Sequence, residues 1–335
     1  MPRWWAIAIG LPLVSKLDPW SLTPSVRWVW LFGLVYAFAV LFVSRHPLEG
    51  SLDFFCLLLM FGVGIAAAER ENLDQVMVGM VLGLGVSSVL VIPQHFGWSP
   101  VPQSAGPAGL FFNREVLAEV AAPLLVWSVV SRKLVLSLIC IIPVALCDSR
   151  IAVLVSAVCI AYAFMPRKWW AYAIASVMMI GLGGGMLLLF GAGKIDSAGL
   201  RMVLWGAAYL DITTFGHGLG YWREAHPFPI EEFVHSDWLQ FLVELGAGGI
   251  AFIALPILTL ARGKGSIAER CALVAVTLEA LVSFPLHGAA GAFIFAALAG
   301  NMARDRALVR DPGLSRRITA RFGLRREASH AANVG

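Results

Sequence analysis

Charged residues are scarce in this sequence, and their scarcity excludes an ordinary soluble domain. Asp, Glu, Lys and Arg make up 14% of the 335 residues and hydrophobic residues make up 59%, whereas soluble domains average about 25% charged and about 45–50% apolar residues. The mean hydropathy is +0.79. A helix needs roughly 20 predominantly apolar residues to cross a bilayer core, and most of the chain consists of apolar runs between short connectors. We therefore predict an all-α, polytopic membrane protein.

The spacings that bind metals are missing as well. The five cysteines lie in or beside apolar runs and none has C-x-x-C spacing, which argues against a metal site or a disulfide framework and favours small buried side chains. The sequence has no H-E-x-x-H pair, so we predict no metal and no cofactor. The net charge of +4 comes from basic residues in the tail and the connectors; membrane topology explains that pattern without nucleic acid.

The apolar runs make residues 1–303 a single transmembrane domain, and residues 304–335 form a basic tail. The first run is short for a span, so the count is ten helices without it and eleven with it. Gly79, Gly83 and Gly85 are small enough to permit close helix approach. The predicted spans are Trp4–Ser15, Val26–Ser44, Phe54–Ala68, Gln75–Pro93, Val116–Val130, Leu134–Cys147, Ile151–Met165, Trp169–Gly191, Trp238–Leu260, Ala272–Leu286 and Ala289–Met302.

Lysine and arginine predict the orientation, because they concentrate in the cytoplasmic connectors of membrane proteins. If the basic tail is cytoplasmic, four further basic positions fall on the same side of the membrane: Arg70, Arg132–Lys133, Arg167–Lys168 and Arg262–Arg270. The loop His95–Asn113 and a longer loop of about residues 193–237 then lie outside, on the periplasmic side. We expect short helices in the longer loop, since Leu200–Leu210 has the pattern of an interfacial amphipathic helix.

Ionisable groups concentrate on this outer face. The longer loop holds three of the seven histidines, His217, His226 and His235. The cations Arg114, Arg150, Lys194 and Arg223 lie on the same face. Each either extends to the lipid headgroups or binds a phosphate-bearing ligand, because a guanidinium holds two oxygens at once.

His235 begins the sequence His-Ser-Asp-Trp at the start of a predicted span. It either anchors the helix, with Ser236 or Asp237 as the N-cap and Trp238 at the interface, or acts as a general base, for which the pKa of histidine is suited. Glu244 and Glu279 lie inside predicted spans; such carboxylates either serve function or hydrogen-bond a neighbouring helix.

Five short motifs, in this order, resemble the O-antigen ligase and polymerase family of bacterial membrane glycosyltransferases. They cover about residues 111–250, and each is weak alone; their order, spacing and shared outer face carry the resemblance. The motifs are F-x-N at Phe111–Asn113, S-R at Ser149–Arg150, R-x-x-x-W at Arg201–Trp205, G-x-G-x-G at Gly216–Gly220 and H-S-x-x-L-x-x-x-x-E-x-G at His235–Gly246.

The resemblance implies metal-independent transfer of a saccharide from an undecaprenyl-diphosphate carrier to an acceptor hydroxyl at the periplasmic face of the bacterial inner membrane. His235 matches the catalytic histidine, which would take the acceptor proton, and Arg201 and Arg150 match arginines that would hold the diphosphate. The family often has asparagine after the histidine, where this chain has Ser236.

Other residues of the outer face complete the predicted site. We expect Arg223 to contribute to diphosphate binding, and Asn113, Arg114, Ser236 and Glu244 to support the site. The predicted partners are the lipid-linked glycan donor, membrane lipid and an acceptor that is a saccharide, a lipid or a protein; ligase and polymerase both remain open.

Two other functions are compatible with the sequence. The first is a transporter or flippase for a lipid-linked or anionic substrate, favoured by the glycines in Trp169–Gly191 and by the intramembrane Glu244 and Glu279. Against it, the polar groups concentrate in an outer loop and paired broken helices are not evident. The second is a structural membrane scaffold, in which the long loop would tolerate alanine throughout.

Overall fold

The computed structural model describes residues 17–44, 47–70, 73–99, 107–111, 113–147, 149–165, 195–225 and 234–305. The described residues are helical, with turns and loops between the helices and one isolated bridge between Leu22 and Arg304. The all-α prediction is confirmed for this part of the chain. The predicted spans Trp4–Ser15 and Trp169–Gly191, together with Lys194, His226 and most of the basic tail, lie outside the described residues.

Twelve α-helices are described, preceded by a 3₁₀ turn at Pro19–Ser21. Serine, asparagine and proline set several of their starts: Asn113, Ser149, Ser236 and Ser266 cap helices through their side chains, as expected for N-cap residues. The helices are α1 (Pro24–Leu41), α2 (Pro47–Arg70), α3 (Leu73–His95), α4 (Arg114–Val130), α5 (Leu134–Leu146), α6 (Arg150–Phe164), α7 (Ile195–Leu210), α8 (Tyr221–Ala225), α9 (Asp237–Leu245), α10 (Gly249–Arg262), α11 (Ile267–Val282) and α12 (Ala289–Met302).

Four stretches are long and apolar enough to cross a membrane: Pro24–Leu41, Pro47–Glu69, Leu73–His95 and Asp237–Arg262. Shorter apolar helices include α5, α6 and α12; α5 packs on α3, and α12 packs on α2. Large apolar side chains such as Phe32, Val135 and Ile257 are exposed. Exposed apolar surface of this kind marks a face that contacts lipid or a partner. The described residues therefore form a helical bundle with four candidate membrane-spanning segments.

Hydrogen bonds between the connectors define two ends of the helix bundle. At the end that we call the His235 end, the amide of Asp237 at the start of α9 donates to the carbonyl of Ser283 after α11 (3.0 Å). At the opposite end, the Lys264 end, the amide of Lys264 donates to the carbonyl of Met302 (2.8 Å), and Leu22 pairs with Arg304. The short connectors α4–α5 and α5–α6 place the starts of α4 and α6 at the His235 end.

Helices α2 and α12 approach each other closely at Gly64 and Gly300, two glycines that the sequence analysis did not single out. A Cβ added to Gly300 would lie 1.9 Å from the carbonyl oxygen of Gly64, and one added to Gly64 would lie 2.6 Å from the Trp30 ring. Of the three glycines predicted to permit close approach, Gly79 and Gly83 have no neighbour within 4 Å of an added Cβ, and Gly85 would make only an ordinary contact with the Ile139 side chain (3.6 Å). Glycine spacing alone indicates only where close approach is possible, and the tertiary fold decides which glycines use it.

Three predicted boundaries are wrong. The polar segment before Phe54 is helical from Pro47, because proline is favoured in the first turn of a helix. The predicted span Trp238–Leu260 is divided into α9 and α10 by a 3₁₀ turn at Gly246–Gly248. Helix α11 ends at Val282, so the residues up to Gly288 form a turn instead of the end of a span.

Candidate functional site

His235 lies at the His235 end, immediately before α9. Its backbone has a φ of +55°, a left-handed conformation in which histidine is enriched among non-glycine residues. Ser236 is the N-cap, and its hydroxyl accepts from the Leu239 amide (3.4 Å). The imidazole makes an edge-to-face contact with the Phe284 ring, 5.1 Å between centroids. The turn after α11 therefore forms one wall beside His235.

Helix α7 is tied to the backbone of His235. The indole Nε1 of Trp205 donates to the His235 carbonyl oxygen at 3.2 Å, and Leu204 and Ala208 pack against Val234 and Val243 in a small buried cluster. The R-x-x-x-W and H-S motifs are thus brought into contact. The predicted helix at Leu200–Leu210 is confirmed within α7.

Arg201 lies one turn before Trp205 on the same face of α7. Its guanidinium is 3.6 Å from the Glu115 carboxylate in the first turn of α4, and its side chain is 23% exposed to solvent. Asn113 caps α4 by accepting from the Glu115 amide (2.8 Å). The F-x-N motif therefore positions the carboxylate that faces Arg201.

Arg114 and Arg150 are the first residues of α4 and α6. Both helices start at the His235 end, and Arg114 lies within electrostatic range of the Cys147 thiol at the end of α5. Arg150 is exposed. The two arginines therefore lie at the same end of the bundle as His235 and Arg201.

Arg223 is engaged elsewhere. Its guanidinium pairs with Glu49 (3.1 Å) and Asp53 (2.6 Å) of α2, and its side chain is only 14% exposed. Two carboxylates neutralise this arginine, which leaves it poorly suited to hold a diphosphate. The contact instead fixes α8 on the start of α2, which lies before the predicted span Phe54–Ala68.

Glu244 is completely buried and supports the segment before His235. Its Oε1 accepts from the Trp222 amide (3.3 Å) and from the Gln240 side-chain amide (3.1 Å). Gln240 in turn accepts from the Val234 amide (3.3 Å) through its own Oε1. The carboxylate therefore acts on the site through Gln240 and Val234.

The G-x-G-x-G segment forms a tight turn against the break between α9 and α10. Gly216 and Gly218 have φ of +73° and +100°, and a Cβ on Gly216 would lie 2.3 Å from the Glu244 carbonyl oxygen. The Gly218 amide donates to that carbonyl (2.9 Å). The turn satisfies a carbonyl at the C-terminal end of α9, and glycine is required because the backbones touch.

His217 lies in the same turn, and its contacts are local. Its ring stacks on Tyr221 with centroids 4.3 Å apart, and its Nε2 lies 2.9 Å from the Asp211 carbonyl oxygen. These contacts explain the residue as part of the turn that joins α7 to α8.

Sequence reasoning missed the turn after α11. His287 Nδ1 hydrogen-bonds the Asp237 carboxylate, and the other oxygen of that carboxylate accepts from the Leu286 amide (2.7 Å). The His287 ring also stacks on Phe241, with centroids 5.4 Å apart. Pro285 was the available signal for a helix end; the apolar residues around it hid the turn.

Two further residues differ from their predicted environments. Trp238, expected at the membrane interface, is buried and its indole donates to the Thr277 carbonyl (3.1 Å). Glu119 of α4 was overlooked inside an apolar run; it is 3% exposed and accepts a hydrogen bond from the Ser283 hydroxyl. A carboxylate within an apolar span is by itself a signal for function.

The His287–Asp237 pair makes stability depend on pH. Burial lowers the pKa of His287, but the Asp237 charge and hydrogen bond raise it further, so the net shift is upward. A histidine whose pKa is raised in the folded state stabilises the fold. The stabilisation is complete when the pH is below the pKa of the unfolded state, about 6.5, and it is lost as the pH rises through the pKa of the folded state. We expect the melting temperature to fall as pH rises above neutral, measured by thermal unfolding of the purified protein.

His287→Gln is expected to remove this part of the pH dependence, whereas His95→Gln, at an exposed position, is expected to retain it. An unchanged slope in His287→Gln would show that the pair does not contribute.

Among the described residues, no group of three or more His, Cys, Asp or Glu side chains could hold a metal ion. The cations and the imidazole at the His235 end are instead groups that bind anions and transfer protons. No protein-family model matches the chain, and no curated protein shows significant similarity to it.

Proposed function

We propose that the protein is a membrane glycosyltransferase, which moves a saccharide from an undecaprenyl-diphosphate carrier to an acceptor hydroxyl at the periplasmic face of the bacterial inner membrane. The observation that carries the proposal is the hydrogen bond from Trp205 to the His235 carbonyl oxygen. It joins the helix of Arg201 to the histidine, as one site for an anionic donor and an acceptor hydroxyl requires.

In the proposed reaction, His235 takes the proton of the acceptor hydroxyl while the acceptor oxygen forms a bond to the anomeric carbon. The bond from that carbon to the diphosphate breaks, and its electron pair leaves with the phosphate oxygen. The diphosphate is already a stable anion, so it needs charge stabilisation more than a strong acid. Arg201 supplies that charge, and the diphosphate competes with Glu115 for the guanidinium.

The proposal gives the predicted arginines different roles, and it moves Arg114 from a supporting role to diphosphate binding. Arg201, Arg150 and Arg114 all lie at the His235 end and are the proposed diphosphate ligands. Arg223 is held by Glu49 and Asp53, so we propose that it positions α8. Ser236, Asn113 and Glu244 support the site through the N-cap of α9, the N-cap of α4 and the Gln240 bridge.

The proposed orientation follows the distribution of basic residues. The Lys264 end collects Lys133, Arg262, Lys264, Arg270 and Arg304, and the basic tail continues from it. The positive-inside rule assigns this end to the cytoplasm, so the His235 end faces the periplasm. Helix α7 exposes Met202, Tyr209 and Leu210, which suits contact with the outer leaflet.

Arg201→Ala is expected to raise the KM for the lipid-linked donor by about 10- to 100-fold, because hydrogen bonds to charged groups contribute about 1.5–3 kcal/mol. The measurement is transfer activity in membranes at varied concentrations of extracted lipid-linked oligosaccharide. Arg262→Ala, an exposed arginine at the opposite end, is the matched control and is expected to leave the KM unchanged. Equal KM values for all three proteins would remove Arg201 from the donor site.

A flippase or transporter is the second candidate function, favoured by the buried carboxylates of Glu119 and Glu279 in α4 and α11. Intramembrane carboxylates often take part in ion-coupled transport. An assay in proteoliposomes that contain extracted lipid-linked oligosaccharide distinguishes the two functions. Movement of intact donor between leaflets without a new glycosidic bond would favour transport over transfer.

A further inference from the structure

Two buried glutamates lie within electrostatic range of each other on α4 and α11, and neither forms an ion pair among the described residues. Glu119 is 3% exposed and Glu279 is fully buried, and each lies within electrostatic range of the other. Both oxygens of Glu279 and the Oε2 of Glu119 have no hydrogen-bond partner among the described residues. The remaining oxygen of Glu119 accepts from the Ser283 hydroxyl.

The charged surroundings of the two glutamates are different. Glu119 lies within range of Glu115 on its own helix, Arg201 on α7 and Asp237 on α9. Asp237 is itself paired with His287. Glu279 lies within electrostatic range of the Cys159 thiol of α6 and of the Glu119 carboxylate. Thus Glu119 has a cation and a hydroxyl donor nearby, whereas the described neighbours of Glu279 offer neither.

An ionised carboxylate in an apolar interior costs several kcal/mol unless it is paired and hydrogen-bonded. Two adjacent carboxylates cannot both remain charged there, because each disfavours ionisation of the other. The pair of carboxylates must therefore bind one positive charge, carried either by a proton or by a metal ion. Alkaline-earth ions require about six or more oxygen ligands, more than these side chains offer, so a proton fits the site better than a metal ion.

We propose that Glu119 and Glu279 form a proton-binding site in which Glu279 holds the proton and Glu119 remains the hydrogen-bond acceptor of Ser283. The step is the binding of one proton to one Glu279 oxygen, with no other bond formed or broken. This site does not depend on the proposed glycosyl transfer.

The site is connected to His235 through the turn after α11. Ser283 bonds Glu119, Phe284 contacts the His235 ring and His287 bonds Asp237. Binding of the proton lowers the negative charge of the two buried glutamates, of which Glu119 contacts this turn through Ser283. We expect it to regulate the position of the His235 ring; this second step does rest on the proposed function.

Infrared spectroscopy of the full-length protein in lipid nanodiscs tests the site directly. Subtracting the spectrum of Glu279→Gln from that of the wild type at neutral pH is expected to give the C=O band of a protonated carboxyl group. Glu269→Gln, which removes a carboxylate at the opposite end, is expected to give only a carboxylate band. A carboxylate band lost in Glu279→Gln would overturn the proposal, as would a wild-type band that sodium or potassium abolishes.

Two further measurements separate the site from a folding defect and from the proposed function. Glutamine resembles a neutral carboxyl group, so Glu279→Gln is expected to fold and to melt at the wild-type temperature, whereas a variant that folds but melts at a much lower temperature would contradict the neutral state. If Glu279→Gln does not fold, the Glu279 band is sought in Glu119→Gln, where it is expected to persist; its absence there also overturns the proposal.

The pH profile of saccharide transfer is expected to shift in Glu119→Gln if the site regulates His235. An unchanged profile would refute the regulation and leave the infrared result to stand by itself.

Discussion

Replacing His235 by alanine is expected to lower the rate of saccharide transfer by about 10²- to 10⁴-fold, the range that a positioned general acid or base contributes. The backbone conformation at φ +55°, the Ser236 cap and the Phe284 contact hold the imidazole in place before substrate binds. Alanine removes the proposed base and its ring contact with Phe284, but it leaves the Ser236 cap and the hydrogen bond from Trp205 to the backbone of residue 235 available. The measurement is kcat with donor and acceptor both saturating.

His95→Ala is the matched control, since His95 is an exposed histidine at the end of α3. It is expected to retain wild-type kcat. A His235→Ala enzyme that works within a few-fold of the control would mean that another group takes the acceptor proton.

Gly300→Ala is expected to have the largest effect on stability, a loss of about 3 kcal/mol or more. An added methyl group would lie 1.9 Å from the Gly64 carbonyl oxygen, so α2 and α12 must separate. Overpacking of this kind typically costs about 1–3 kcal/mol, and more when a backbone must move. Thermal unfolding in detergent measures the effect as a lower melting temperature.

Gly79→Ala is the control for Gly300→Ala, because an added Cβ at Gly79 meets nothing within 4 Å. It is expected to be neutral or slightly stabilising, since alanine is favoured over glycine in a helix by about 1 kcal/mol. Equal melting temperatures for the two variants would contradict the described α2–α12 contact.

Hydropathy and capping predicted much of the fold because both act locally. The predicted span Ala289–Met302 has the bounds of α12, and Ser236, one of two predicted N-caps, does cap α9. The helix within Leu200–Leu210 followed from a repeat of apolar residues. In each case the necessary information lies within one or two turns of the chain.

Features that depend on distant contacts could not be predicted in this way. The break at Gly246 fits the G-x-G-x-G turn, in which Gly216 approaches it from a part of the sequence that precedes α8 and α9. The early end of α11 accompanies hydrogen bonds from the following turn to Asp237. An apolar run continues through both places, so hydropathy gives no sign of either.

The predicted site shows the same division. The sequence singled out Arg201 and His235, and the structure links their segments through Trp205. Hydropathy could not show that Arg223 would be neutralised by Glu49 and Asp53, because both carboxylates precede the predicted span Phe54–Ala68 and were not assigned to a helix. Glu119 and His287 were missed because their partners, Ser283 and Asp237, lie far away in the sequence.

Reconstitution of the purified protein tests the central claim most directly. Proteoliposomes containing extracted lipid-linked oligosaccharide and an acceptor from the same membranes are assayed in the presence of a metal chelator. Undecaprenyl diphosphate and new glycosidic bonds are expected to appear in equal amounts, and only when donor and acceptor can reach the His235 end. Intact donor with no new bond, under conditions in which the protein remains folded, would contradict glycosyl transfer.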